Sequence, residues 1–196
     1  MVCAPLHGVT FDRWHEKPGA EVKSAADKFA FVMSIARDDP QFNVDNNGYG
    51  DDLCSALESN KFNVKRLKGG AGSSAKARDG REFENKRCEM IWRFREALDP
   101  NNGDRIGLPP GRELVMELAS FTEQPREDMR KVIRIESNDE IKKRIGRSPD
   151  IAWAYLFAWA DPDKFGTLDR EKHVAKRSKG KTPRIHHQRS NVIGKR

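Results

Sequence analysis

Apolar residues recur at two different spacings along the first 160 positions of this 196-residue chain. A spacing of three to four residues is typical of helices that bury one face, whereas alternation is typical of half-buried strands. The helical spacing predicts helices over residues 20–37, 51–59, 82–98, 112–119, 139–144 and 149–160. Alternation and short apolar runs predict strands over residues 9–14, 42–45, 63–67 and 132–136. Strands interleaved with helices indicate an α/β domain whose sheet is largely covered.

Asp45 lies where one predicted strand ends, directly before the turn Asn46-Asn47-Gly48-Tyr49-Gly50. In α/β folds, binding sites form at the carboxyl ends of strands, and glycines allow a ligand to approach the backbone closely. The same residue is also typical of an Asx turn, which is a purely structural role. The local pattern alone is compatible with both interpretations.

Asp150 follows Ser148 and Pro149 at the start of the last predicted helix. Serine favours the N-cap position, proline favours the first turn, and a carboxylate in that turn is stabilised by the helix dipole. A structural role therefore accounts for Asp150 as well as a functional one does.

Four segments, taken in order, resemble the motifs of the nuclease domain of phage terminase large subunits. They are FNVDNNGYGDDL at 42–53, FENKRCEMIWRFR at 83–95, LP and EL within 108–118, and IESNDEIKKRIGRSPD at 135–150. The resemblance runs from about residue 9 to residue 160. It implies an RNase-H-like fold, a mixed sheet flanked by helices, here incomplete at the N-terminus. It also implies metal-dependent cleavage of concatemeric double-stranded DNA during DNA packaging.

The resemblance also implies a metal site. Three acidic side chains of the family hold two divalent cations, Mg²⁺ or Mn²⁺, whose preferred ligands are carboxylate oxygens. One cation activates water and the other stabilises the leaving oxygen. Asp45 corresponds to the second acid and Asp150 to the third, so both are predicted to be catalytic metal ligands.

The chain departs from the family pattern at three places. The first acid of the family lies on a strand that would precede residues 9–14, so we expect no counterpart of it here. Trp153 stands where the family has a second aspartate, and Asn138 where it has a lysine. These departures favour an alternative, a catalytically inactive remnant that binds DNA or a portal protein. A junction resolvase of related fold is a further alternative, but the segments at 83–95 and 135–150 argue against it.

The net charge of +7 comes entirely from the end of the chain. Residues 172–196 contain nine Lys and Arg and no Asp or Glu. With few apolar groups, residues 166–196 are predicted to form a basic, disordered tail beside a nuclease-like domain over residues 1–165. In that domain, Lys142, Lys143, Arg144 and Arg147 are predicted to bind DNA phosphates near Asp150. The alternative is an ordinary solvated helix face.

The remaining features restrict the cellular setting. No apolar run approaches the length of a membrane span, and three cysteines without CxxC spacing indicate reduced thiols. No GxxxxGK[ST] phosphate-binding motif occurs in the sequence, so it carries no sign of the packaging ATPase. We expect a protein of the bacterial host cytoplasm that binds double-stranded DNA. By the resemblance, the portal protein and the terminase small subunit are possible partners.

Overall fold

The structure is a computed structural model, and it describes residues 1–37, 40–102, 104–125 and 131–160. Its helices in this part of the chain are α1 (Ala25–Ile35), α2 (Asp51–Ser59), α3 (Lys86–Leu98), α4 (Arg112–Leu118), α5 (Asn138–Ile145) and α6 (Asp150–Trp159). The strands are β1 (Val2–Cys3), β2 (Leu6–His7), β3 (Thr10–Phe11), β4 (His15–Glu16), β5 (Gln41–Asp45), β6 (Asn63–Leu67), β7 (Glu82–Phe83) and β8 (Val132–Ile133). A mixed α/β architecture is therefore confirmed. The predicted tail at 166–196 lies outside the described residues.

Side-chain caps decide where two of the helices begin. Ser24 caps α1 by accepting a hydrogen bond from the Asp27 amide, so the helix starts at residue 25 and not at residue 20. Asn85 accepts a hydrogen bond from the Cys88 amide at 2.9 Å and so starts α3 at residue 86. The prediction of a helix from residue 82 was wrong, because residues 82 and 83 pair in parallel with β8 instead.

Within the described residues, the strands form four separate two-stranded sheets. β5 and β6 are parallel, from Gln41 opposite Asn63 to Asp45 opposite Leu67, and α2 provides the crossover between them. The predicted strand at 9–14 is replaced by two antiparallel pairs, β1 with β4 and β2 with β3. Gly8, with a φ of 66°, makes the tight turn between β2 and β3. Alternation over residues 9–14 therefore marked only β3, since β4 begins at His15.

Three apolar clusters hold these elements together. The largest packs α3 against α6 and the β7–β8 pair, with Phe94, Leu114, Ile133, Tyr155 and Leu156 almost fully buried. A second cluster, built on Val32, Leu53 and Leu57, packs α1 and α2 against β5 and β6. The third contains Leu67, Met90 and Ala160, with Trp153 and Phe157 packed against it. This third cluster joins the carboxyl end of β6 to α6.

Helix α6 is fixed to β5 by a polar contact as well. The side-chain amide of Asn43 donates hydrogen bonds to the carbonyls of Phe157 at 2.9 Å and Ala160 at 2.7 Å. Because Asp45 pairs with Leu67, the end of β5 that carries Asp45 lies beside the third cluster. The two predicted metal ligands therefore lie on elements that contact each other. No helix within the described residues is long and apolar enough to cross a membrane.

Candidate functional site

Asp45 is the last residue of β5. Its side chain combines the two predicted properties, an Asx turn and an exposed position at the end of a strand. One carboxylate oxygen accepts a hydrogen bond from the Asn47 amide at 3.1 Å, which is the expected Asx turn. The residue is nevertheless exposed at the end of the strand. Desolvation by the surrounding protein raises the pKa of Asp45, and this outweighs the hydrogen bond from Asn47. A nearby cation would stabilise the charged form of a carboxylate in this environment.

The turn after Asp45 is fixed by close backbone packing. A Cβ atom on Gly50 would lie 1.9 Å from the backbone oxygen of Asp45, so no larger residue fits without movement. Gly48 has a φ of 91°, which L side chains rarely adopt. The Lys28 ammonium donates hydrogen bonds at 2.8 Å to the Tyr49 carbonyl and to the Asp52 carboxylate. These contacts tie the turn to both α1 and α2.

Asp150 is the first residue of α6, and it is exposed. The N-cap position belongs to Pro149, which offers no side-chain hydrogen bond to the helix. The sequence-based assignment of Ser148 as the cap was therefore wrong. The first turn of α6 obtains its hydrogen-bond acceptor from another helix.

That acceptor is Glu117 of α4, whose side chain is only 2% exposed. One of its carboxylate oxygens accepts a hydrogen bond from the Ala152 amide at 2.9 Å, and the other lies 2.8 Å from the Arg147 guanidinium. Desolvation raises the pKa of Glu117, although the Ala152 amide and Arg147 oppose this. The negative charge of Asp150 also acts to raise this pKa, as the smallest of the contributions.

Glu117 was not among the site residues predicted from the sequence. The sequence indicates its role only by its position. Glu117 lies three residues after Leu114, which places a charged side chain on the buried face of a short helix. A buried carboxylate without a local partner needs a distant one, and here the partners come from α6 and the segment before it.

The predicted DNA-binding cluster consists of Lys142, Lys143, Arg144 and Arg147. The structure divides it into two pairs. Arg144 forms an ion pair with Glu136, and Arg147 forms one with Glu117, so both arginines hold the fold together. The two lysines are exposed on α5, and their side chains show no ion pair within the described part of the chain. Phosphate binding by the cluster stays a prediction, and the lysines are its available members.

Trp153 and Asn138, the two residues that depart from the family pattern, contact each other. The Trp153 indole donates a hydrogen bond to the Asn138 side-chain oxygen at 3.3 Å. Arg87 donates to the same oxygen at 3.0 Å, and its guanidinium carbon lies 5.5 Å from the centre of the Trp153 ring. An amide and an aromatic ring thus stand where the family has a lysine and a carboxylate. This cluster has no carboxylate to offer a metal ion.

Carboxylate oxygens are the right type of ligand for a divalent cation, but the described residues do not group enough of them to hold two cations. Asp45 and Asp150 provide hard oxygen donors, which Mg²⁺ and Mn²⁺ prefer. Within residues 1–37, 40–102, 104–125 and 131–160, however, no three His, Cys, Asp or Glu side chains are grouped so that they could hold a metal ion. The three-acid, two-cation site that the resemblance implies is not assembled by these residues.

The arrangement defines an α/β domain in which a parallel strand pair ends at one carboxylate and the covering helix begins at another. It is similar to the manganese-containing structure of a mutant nuclease domain of the large terminase subunit gp2 of bacterial virus Sf6. The TM-score is 0.62 at 18% identity, over 81% of this chain and 82% of that chain. A structure of the same Sf6 domain without the mutation gives 0.62 and 18%, over 81% of both chains. A mutant form with calcium gives the same values as the latter.

These likenesses confirm that the chain has the fold of a terminase nuclease domain. At 18% identity they establish the fold alone. No protein-family model matches the chain, and no curated protein matches it in sequence.

Proposed function

We propose that this chain is a terminase-type nuclease domain with an RNase-H-like fold, which cleaves double-stranded DNA with a divalent cation during DNA packaging. The observation that carries the proposal is the position of Asp45. This residue ends a parallel strand in a fold shared with the Sf6 nuclease domain, and the strand is hydrogen-bonded to the C-terminal end of the helix that Asp150 begins. Carboxylates at strand ends are where α/β folds place their chemistry.

The chemistry follows from the two carboxylates. Asp45 and Asp150 would hold Mg²⁺ or Mn²⁺, which when bound supplies water activation and charge stabilisation at a phosphodiester. The fixed turn positions Asp45 on one side of this site. Glu117 supports Asp150 on the other side by accepting a hydrogen bond from the first turn of α6. A second cation would need a further acid from outside the described residues.

DNA would be held mainly by charge. Lys142 and Lys143 are exposed beside the segment that leads to Asp150, and contacts of lysine with phosphate do not depend on sequence. We include in the proposal a domain over residues 1–165 with a basic tail over 166–196 that adds electrostatic affinity. The setting would be the bacterial host cytoplasm, with the portal protein or the terminase small subunit as partners.

One observation favours a second function, a catalytically inactive module that binds DNA or a portal protein. It is the hydrogen-bonded pair of Trp153 and Asn138, which stands where the family has a carboxylate and a lysine. In this alternative the fold and the basic surfaces persist while cleavage is lost.

Nicking of supercoiled plasmid with Mn²⁺ or Mg²⁺ separates the two functions. We expect the full chain to nick, and Asp45→Ala and Asp150→Ala to lose this activity. Asp12→Ala is the matched control, because Asp12 is an exposed carboxylate paired with His7. No nicking by the unaltered chain, combined with salt-sensitive retention of the plasmid, would establish the inactive binding module instead.

A further inference from the structure

Tyr49 is the most exposed aromatic side chain in the described part of the chain. It is 91% exposed, whereas the other exposed large hydrophobic residues, Val9, Val115 and Met116, are between 45% and 60% exposed. Every other Phe, Tyr and Trp ring in the described residues is buried or partly buried. A ring held this far into solvent is free to stack on a ligand.

The backbone beneath the ring is held firmly. Lys28 is only 12% exposed and is committed to the Asp52 carboxylate and to the carbonyl of Tyr49, both at 2.8 Å. Its ammonium also lies 5.9 Å from the centre of the Tyr49 ring, at the outer limit of a cation–π contact. The ring is therefore presented by a fixed support without being packed against it.

The support is the same turn that fixes Asp45. The Asn47 amide donates to the Asp45 carboxylate, and Gly50 packs directly on the Asp45 backbone oxygen. Tyr49 lies between these two contacts in the sequence. A DNA strand placed at Asp45 would therefore pass this ring.

Charge around the turn indicates which part of DNA the ring meets. Asp51 is paired with Arg66 at 3.0 Å and Asp52 with Lys28 at 2.8 Å, so these two cations are committed to carboxylates and do not attract a phosphate to the ring. The face of a nucleobase is uncharged and stacks well on tyrosine, whichever base it is. In an intact duplex the base faces are covered by stacking, so only an unpaired base can make this contact.

We propose that Tyr49 stacks on an unpaired nucleobase of DNA whose backbone lies at Asp45. The proposal rests on the proposed function, since that function places DNA at the turn after Asp45. The turn that carries Tyr49 would then bind single-stranded ends, overhangs or locally opened duplex in preference to intact duplex. The contact would hold the strand beside the cleavage site without selecting a sequence.

Binding of labelled oligonucleotides tests the contact directly. The probes are fluorescein-labelled oligothymidylate of about 12 nucleotides, in the ~4–16 nucleotide range of stacking sites, and a blunt duplex. Affinities of the full chain are measured by anisotropy with calcium ions, with probe integrity checked on a denaturing gel. We expect Tyr49→Ala to weaken oligothymidylate binding by on the order of 5- to 100-fold. Tyr49→Phe should retain most of the affinity, because the ring persists.

Two further measurements make the result specific. Met116→Ala removes another exposed apolar side chain and should bind like the unaltered chain, and duplex affinity should change little in any variant. Irradiation of an oligonucleotide carrying one 5-iodouracil should crosslink Tyr49. Equal affinity of Tyr49→Ala and the unaltered chain would overturn the proposal, as would equal losses for Tyr49→Ala and Tyr49→Phe.

Failure of this inference is distinguishable from failure of the proposed function. Nicking that depends on Asp45, together with oligothymidylate binding that ignores Tyr49, would overturn the stacking contact alone. Binding that depends on Tyr49 in a chain without metal-dependent nicking would overturn the nuclease alone. No binding of either probe by the unaltered chain would overturn both.

Discussion

The two candidate ligands are held in opposite ways. Asp45 sits in a corner made by its neighbours in sequence, where Asn47 binds its carboxylate and Gly50 packs on its backbone. Asp150 begins a helix that is capped by Glu117. The Glu117 carboxylate accepts a hydrogen bond from the Ala152 amide, 35 residues further along the chain. The first half of the site is a local structure, whereas the second exists only when α4 and α6 pack together.

The difference shows how each half should respond to change. A local turn tolerates changes elsewhere but not in its own glycines, because their backbone positions are fixed within a few residues. A cap supplied across the fold depends on one buried side chain, whose loss leaves several groups unpaired.

The largest effect is expected for Glu117→Ala. This change leaves the Ala152 amide without an acceptor and Arg147 without its partner, and we expect a loss of about 3 kcal/mol of unfolding free energy. Urea denaturation measures it, with Glu113→Ala as the control on the exposed side of the same helix. If both variants lose equally little, α6 does not depend on this cap.

A smaller loss, about 1–3 kcal/mol, is expected for Gly50→Ala, because the added Cβ atom has to displace the Asp45 backbone. Gly48→Ala is the matched variant. It has a positive φ but nothing within 4 Å of the added atom, so we expect only about 1 kcal/mol. Denaturation of both variants, together with nicking assays, provides the measurement. A greater loss for Gly48→Ala would contradict the packing argument.

The basic cluster should separate into a DNA-binding pair and a structural pair. We expect the double change Lys142→Ala and Lys143→Ala to reduce the salt dependence of DNA binding by roughly 0.9 per lost phosphate contact. Stability should change by no more than about 0.5 kcal/mol, because both lysines are exposed. Arg144→Ala with Arg147→Ala should instead destabilise the fold through the broken ion pairs. Affinity titrations at several salt concentrations and urea denaturation distinguish the two pairs.

The smallest effect is expected for the pH dependence of Glu117→Gln. Because the fold raises the pKa of Glu117 above its ordinary 4.5, its contribution to stability is complete below that value. The contribution is lost as the pH rises through the raised pKa. Glutamine does not titrate, so the stability of the unaltered chain relative to Glu117→Gln should fall from pH 4 towards neutral. A relative stability that rises with pH would contradict the assigned shift.

Several elements could be predicted well because their signals are local. The bounds of α2 and β6 agree with the predictions, since strand alternation, helical spacing and a glycine turn follow one another within 27 residues, 41–67. The end of β5 at Asp45, and the turn after it, were identified for the same reason. The structure and its likeness to the Sf6 domain then confirmed a mixed α/β fold of the terminase nuclease type.

Other elements were decided by contacts between distant residues. Glu82 and Phe83 fit a helix by spacing, but pairing with β8 makes them a strand. Arg144 and Arg147 looked like free cations until Glu136 and Glu117, from other elements, were placed beside them. Nor does the spacing of Trp153 and Asn138 indicate that they share a hydrogen bond.

The sequence by itself determined the order of the helices, the turn at Asp45 and the α/β class of fold, because these follow from spacing and backbone preferences within short segments. Only the tertiary structure decided which charges are committed, what caps α6 and which aromatic ring faces solvent. Burial and ion pairing depend on which distant surfaces meet, and that information lies in the packing of α4, α5 and α6 and not in any one stretch of sequence.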